Sequence, residues 1–297
     1  MTTHDYLAAP AKRVFDASCI KSAMFCYRAY YWRWIRGLVS SSSKSVHLQA
    51  GSAIHTGAEH LKRGKDLKTS TQLMLNETKD MEVHAIKTPL KLVEVLADLE
   101  RFMLADKHTH TIEYFDENSQ PQLALEVSFS LEMPNDTIFA GRIDRVMTQS
   151  KMTWIEDYKT TSRWSEYWYK DWENNFSLLG YCYALRRIIG VCHGAQITQM
   201  YINKSKTRTE REVVIDFSPK RAEVWEATYL SWTEELLRRT KLLETSSLDE
   251  AFPMCNCDFT CKHKYGSCIY APICIHGDSA IKSRGLVEEK PERKEDD

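Results

Sequence analysis

Asp144, Asp157 and Lys159 sit in the stretch FAGRIDRVMTQSKMTWIEDYKTT, Phe139–Thr161, at a spacing that suits hydrolytic chemistry. Ile138 to Val146 and Met152 to Lys159 alternate as two short strands, and the polar residues Thr148, Gln149, Ser150 and Lys151 form a connection short enough for a hairpin. Strand side chains alternate faces, so Asp157 and Lys159 point one way and Glu156 and Tyr158 the other. With Asp144 facing the same side on the neighbouring strand, two carboxylates and an ammonium converge. Two carboxylates about 4 Å apart repel by roughly 4 kcal/mol at an effective dielectric near 20, and a proton, a cation or a divalent metal relieves that repulsion. Oxygen ligands suit Mg²⁺ or Mn²⁺, and a nearby lysine can orient or deprotonate an attacking water. An isolated D-x-K is more often a surface ion pair; the GRID and DYK segments on one hairpin favour a site.

The elements that must position these groups follow from periodicity. Ser18–Arg36, Val46–Arg63 and Thr88–Leu104 read as helices, and Leu123–Leu131 as the first strand of the sheet, with Glu126 on it as a reserve acid. Ser165–Trp172 and Asn174–Ile189 read as a short and a longer helix, Ala195–Asn203 and Arg208–Phe217 as strands, and the run from Pro219 to Leu243 as a further helix. Ser40–Ser43 is expected to be a loop, and the charged stretch from Gly285 onward a disordered tail. In the second helix, Gly51 lies one turn before His55 on the same face.

The chain of 297 residues, 43% hydrophobic and 27% charged, can bury a sizeable core. Its formal net charge of −1 gives no global attraction to nucleic acid, so any such binding must come from local groups or bound metal. No apolar run is long enough for a membrane span and the N-terminus has no secretory pattern, so a cytoplasmic protein is expected. Nine cysteines in that setting favour thiols or metal ligands over disulfides. Cys261, Cys268 and Cys274 are closely spaced, with glycine and proline between them, and a metal site needs a fourth thiolate. Cys255, Cys257 and the distant Cys26 are candidates, Cys19 is a weaker one, and Cys182 and Cys192 read as buried thiols.

In their order, these motifs resemble the PD-(D/E)xK nuclease superfamily, in its RecB-like exonuclease branch. LQAGSAIHTGAEHLKRG looks like the family's G-x-x-x-H helix, GRID and DYK like its paired signature, and FCYRAYYWRW with YGSCIYAPIC like the two parts of an iron–sulfur staple. The resemblance implies an α/β, restriction-endonuclease-like mixed β-sheet flanked by helices. It implies an N-terminal helical region over 1–107, a nuclease core over 108–247, a cysteine region over 248–277 and a tail over 278–297. It further implies a metal-dependent DNA exonuclease acting on single strands or free ends, in the company of a homo-oligomer or a recombination or CRISPR protein partner. Carried over, His55, Asp144, Asp157 and the carbonyl of Tyr158 would hold Mg²⁺ or Mn²⁺, and Lys159 would position water. Cys26, Cys261, Cys268 and Cys274 would hold a [4Fe–4S] cluster, with Zn²⁺ as the alternative. Tyr181 matches the tyrosine of the family's Gln-x-x-x-Tyr helix, but Ser177 stands where the glutamine would be. That departure leaves a second reading, a non-catalytic cysteine-metal module that binds nucleic acid or serves assembly.

Overall fold

The computed structural model describes residues 13–40, 46–79, 89–116, 118–162, 168–202, 206–255, 260–263, 266–283 and 285–289. In chain order the elements are β1 (Arg13–Asp16), α1 (Ala17–Phe25), α2 (Tyr27–Tyr30), a π-helical turn (Tyr31–Ile35), β2 (Leu38–Ser40), α3 (Val46–Lys62), α4 (Leu67–Asn76) and α5 (Pro89–Ala105). Then come β3 (Thr109–Thr111), β4 (Glu113–Phe115), β5 (Pro121–Leu123), β6 (Leu125–Glu132), β7 (Thr137–Gln149) and β8 (Met152–Thr161). A 3₁₀ turn (Trp168–Trp172) leads into α6 (Phe176–Ile189), β9 (Gly194–Ile202), β10 (Thr207–Asp216) and α7 (Pro219–Leu242). The chain ends in α8 (Leu248–Ala251), β11 (Lys262–His263), β12 (Gly266–Ser267), α9 (Ala271–His276), a 3₁₀ turn (Gly277–Ser279), α10 (Ala280–Ser283) and β13 (Leu286–Glu288). The chain divides into two compact units, residues 44–129 with 141–226, and residues 1–43 with 130–140 and 227–297.

In the first of these, β7 and β8 pair antiparallel, β8 and β9 parallel, and β9 and β10 antiparallel, which makes the sheet mixed. The β7–β8 ladder runs through Thr148–Thr153 to Gln149–Met152. The connection is therefore the two residues Ser150 and Lys151, shorter than the polar sequence suggested. Both have left-handed φ, 51° and 65°, the backbone that lets a two-residue loop follow the strands' twist. β9 is buried at every position, as a strand covered on both faces must be. One cover is α3–α5, whose Ala50, Ile54, Leu61, Leu92, Leu96 and Leu99 pack with Met200 and Ile202 of β9 and the ring of Tyr158. The helix α6 packs on β8 and β9. It starts where the Asn175 side chain accepts from the amides of Ser177 and Leu178, at 3.1 and 3.2 Å, and stops at Gly190 with φ 83°.

Beneath the site strand lies a buried ionic network. Glu156 has no solvent exposure and accepts from Arg145 Nη1 at 2.6 Å, Arg211 Nε at 2.6 Å, the Tyr158 hydroxyl at 3.1 Å and the Thr198 hydroxyl. Arg211 also bonds Asp106. Burial alone would raise the Glu156 pKa, but the two guanidiniums, together with Lys62, hold it well below the usual carboxylate range.

In the other unit, β1 pairs parallel with Thr137–Ala140 of β7. The Asp16 side chain accepts from the amide of Cys19 at 2.7 Å and starts α1. The sequence suggested one helix over Ser18–Arg36; instead it breaks at Cys26, whose φ of −165° and ψ of 122° are extended. Beyond the break Arg28 is buried, donating to the Phe252 carbonyl at 2.5 Å and pairing with Asp249. That anchor fixes a helix direction different from α1. The stretch from Gly285, expected to be disordered, contributes β13, which pairs antiparallel with β2 (Leu286 opposite Ser40). The Tyr270 hydroxyl donates to the Leu38 carbonyl of the same β2 at 2.8 Å. Residues 290–297 lie outside the described residues, as do 163–167 of the expected short helix and Cys257. Trp168–Trp172 of that helix is a 3₁₀ turn.

Replacing Glu156 with Gln leaves Arg145 without its counter-charge and Arg211 with Asp106 alone, an expected loss of about 3–5 kcal/mol in urea unfolding at neutral pH. Because the folded-state pKa of Glu156 is depressed, its stabilisation is present above the ordinary carboxylate pKa and lost as pH falls below it. The Glu156→Gln variant should therefore show a flatter acid limb than the wild type in unfolding midpoints measured from pH 7 to pH 3.

Candidate active site and metal centre

The β7–β8 ladder stops at the pair Arg145–Glu156. In the same register the next two residues are Asp144 and Asp157, where hydrogen bonding between the strands ends while β8 continues beside β9. Tyr158, one residue further on, has its backbone groups released from the ladder. Its amide donates to Asp144 Oδ2 at 2.9 Å, and its carbonyl lies 2.9 Å from His55 Nε2 and accepts from Lys159 Nζ at 3.4 Å. The parting of two strands thus supplies the backbone contacts of the site.

His55 comes from the middle of α3, and its Nδ1 lies 3.4 Å from Asp144 Oδ2 and 4.0 Å from Glu126 Oε1. Among the described residues, His55, Glu126 and Asp144 are the set of three His, Cys, Asp or Glu side chains whose ligand atoms gather within 4.8 Å. A regular strand gives no reason for Glu126 to turn inward. It turns because its φ is 52°, a left-handed conformation that costs a non-glycine residue roughly 1–2 kcal/mol. The site keeps that strain, with Arg142 Nε 2.9 Å from Glu126 Oε2. Sequence alone carries no signal for such an inversion.

Asp157 stands outside the trio, its carboxylate paired with the ammonium of Lys159. Burial pushes the Asp157 pKa up to about 6; Lys159 opposes the rise and Asp144 adds to it. Glu126 is also raised, first by burial and then by the charge of Asp144. Tyr181, on α6, packs edge-on against Phe129 at 5.9 Å and over Gly141. A Cβ at Gly141 would lie 2.8 Å from Phe129 and 2.9 Å from Tyr181, so a larger residue in GRID would push these two rings aside. Ser177 lies at the capped start of α6.

In the other unit, Cys26, Cys261, Cys268 and Cys274 are all free thiols and half-buried. The Cys268 thiol senses Cys26 and Cys261, and Cys274 senses Cys26 and Cys268. Burial raises both, while backbone amides of Tyr270 and Ala271 that hydrogen-bond Cys268, and the nearby Arg28 for Cys274, act the other way. No three of these sulfurs come within 4.8 Å of one another.

The His55, Glu126 and Asp144 donors, with the Tyr158 carbonyl beside them, are a hard, largely oxygen set with one imidazole, which fits Mg²⁺ or Mn²⁺. The buried Asp157 and the half-buried Glu126, both with raised pKa values, also mark a place short of positive charge. In EDTA at pH 7.5, Asp157→Asn is expected to unfold at a higher temperature than the wild type. A carboxylate with a raised folded-state pKa destabilises the fold above that pKa, so the gap should shrink as pH drops through about 6 towards 4. Glu126→Gln should abolish the rise in Tm that Mn²⁺ gives the wild type, as read by thermal scanning with and without the ion.

No curated protein sequence matches the chain with significance. Among solved structures, a Eubacterium rectale protein provisionally described as an exonuclease is similar at 15% identity, with 94% of this chain and 98% of that one covered and a TM-score of 0.49. The protein SSO0001 is similar at 12% identity, with 92% and 91% covered and a TM-score of 0.34. No helix among the described residues is long and apolar enough to cross a membrane. Residues 16–275 match the family profile of the PD-(D/E)XK nuclease superfamily, and with the mixed, helix-flanked sheet and the carboxylate–lysine strand in place, the chain belongs to that superfamily.

Proposed function

We propose that the protein is a divalent-metal-dependent DNA exonuclease that hydrolyses phosphodiester bonds on single strands or DNA ends. The observation that carries this reading is the convergence of His55, Glu126 and Asp144 at the parting of β7 and β8, one residue from the Lys159–Asp157 pair. His55, Asp144 and Glu126 would hold the ion, with Asp157 and the carbonyl of Tyr158 completing the set. When bound, Mg²⁺ or Mn²⁺ polarises the phosphodiester and makes water a better nucleophile. Lys159, tethered by Asp157 and the Tyr158 carbonyl, orients the attacking water in line with the leaving oxygen and offsets negative charge as it develops. The Tyr158 amide fixes the Asp144 carboxylate in one rotamer, and Arg142 does the same for Glu126. Tyr181 acts at the edge of this arrangement through the rings packed on Gly141.

The cysteines extend the proposal. Cys26, Cys261, Cys268 and Cys274 would hold a [4Fe–4S] cluster, with Zn²⁺ the alternative. Joining Cys26 to the C-terminal cysteines closes a very long loop, worth on the order of 5 kcal/mol by the entropy of cross-linking. Protein purified without air should carry iron, labile sulfide and a broad visible absorption; colourless protein with stoichiometric zinc would favour the alternative.

Cleavage of end-labelled oligonucleotides with Mg²⁺ and then Mn²⁺ tests the activity. Asp144→Ala and Lys159→Ala should each lower the rate by at least about 10³-fold with circular dichroism unchanged. Full activity in either variant would overturn the residue assignment, and no cleavage by the wild type with either ion would favour the non-catalytic nucleic-acid-binding or assembly module.

A further inference from the structure

The 3₁₀ turn Trp168–Trp172 (WYKDW) buries none of its five residues, although three are aromatic. Trp168 lies 5.1 Å from Tyr169, edge-on, and 5.5 Å from Trp172 at an interplanar angle of 55°. The Trp172 ring centre is 5.5 Å from Lys159 Nζ, so the turn adjoins the ammonium assigned to the reaction. Tyr169 braces it against β10: burial pushes its phenol up to about 12, with Glu212 adding to the rise and Arg208 opposing it. Two half-exposed indoles are thereby held beside the site on a fixed support. Exposed Lys170 and Asp171 cancel each other's charge, and the whole chain carries −1, so attraction to phosphate is not what this surface adds. What it offers is aromatic faces.

Bases within a duplex are already stacked and show only their edges, whereas unpaired bases have free faces that stack on tryptophan. We propose that Trp168 and Trp172 form a base-stacking platform that receives unpaired nucleotides next to the scissile phosphate. This rests on the nuclease reading and narrows its substrate to strands that are single at the site. The ring of Trp172 contacts both partners, taking a base on one side and the Lys159 ammonium on the other by cation–π attraction.

The test is binding without cleavage. Fluorescein-labelled oligothymidylate is titrated in EDTA with the wild-type protein and with Trp168→Ala, Trp172→Ala and the corresponding Phe variants, and anisotropy gives Kd. Each alanine variant should bind about 5- to 150-fold more weakly, the range set by one lost stacking partner, and each phenylalanine variant should recover most of that loss. An abasic strand of the same length should bind wild type and alanine variants alike, because it has no base to stack. Equal oligothymidylate binding by wild type and alanine variants would overturn the platform, as would an equal loss on the abasic strand. Stacking that persists in a protein inactive with Mg²⁺ and Mn²⁺ would instead overturn the nuclease reading and leave the platform standing.

Discussion

The site depends on where one hydrogen-bond ladder ends. β7 and β8 pair as far as Arg145 and Glu156, and at that pair Glu156 is gripped by two guanidiniums and two hydroxyls. The strands are thus fixed at the last rung and free beyond it. A sheet that continued its ladder would use the amide and carbonyl of Tyr158 on the neighbouring strand. Here those groups meet Asp144 and His55 instead. Alternation along β8 then does two jobs with four consecutive residues: Glu156 and Tyr158 turn their side chains into the network, while Asp157 and Lys159 turn theirs to the site.

Neighbouring carboxylates on this strand show how differently burial can be used. Glu156 and Asp157 are both withdrawn from water, yet the pKa of one is depressed and that of the other raised to about 6. The difference lies in their partners. Glu156 has two arginines within hydrogen-bond distance; Asp157 has one lysine and a like-charged Asp144 nearby. The first arrangement stabilises the fold, and removing Glu156 would leave Arg145 uncompensated while Arg211 kept only Asp106. The second leaves an electrostatic deficit in the folded state. A divalent cation removes such a deficit, so stability given up at Asp157 and Glu126 becomes affinity for the ion.

Alternation made the Asp157–Lys159 face readable from sequence, and helical spacing placed His55 on a helix that reaches the sheet. These are periodic signals. Glu126 was not readable, because one left-handed residue inverts the alternation that would have placed it. The Ser150–Lys151 turn lacks the Asn-Gly or Asp-Gly signature, so its two-residue form was hidden behind a longer polar run. The break at Cys26 follows from the burial of Arg28 against Phe252 and Asp249, partners more than two hundred residues away in sequence. β13 (Leu286–Glu288) has the same origin, a long-range pairing with β2 that overrides a charged and unpromising composition. Misreadings cluster where distant contacts outweigh local preference.

Three glycines near the site separate what the fold demands from what it leaves open. Gly57 lets α3 approach its neighbours, since a Cβ there would lie 2.9 Å from Leu96 and 3.3 Å from Met74. Gly141 is held small by Phe129 and Tyr181. Gly51 differs: a Cβ added to it meets nothing within 4 Å. A glycine inside a helix costs about 1 kcal/mol relative to alanine, and no contact within the chain offsets that cost at Gly51. It lies one turn before His55 on the same face. Among the described residues, packing accounts for the first two glycines and not for the third.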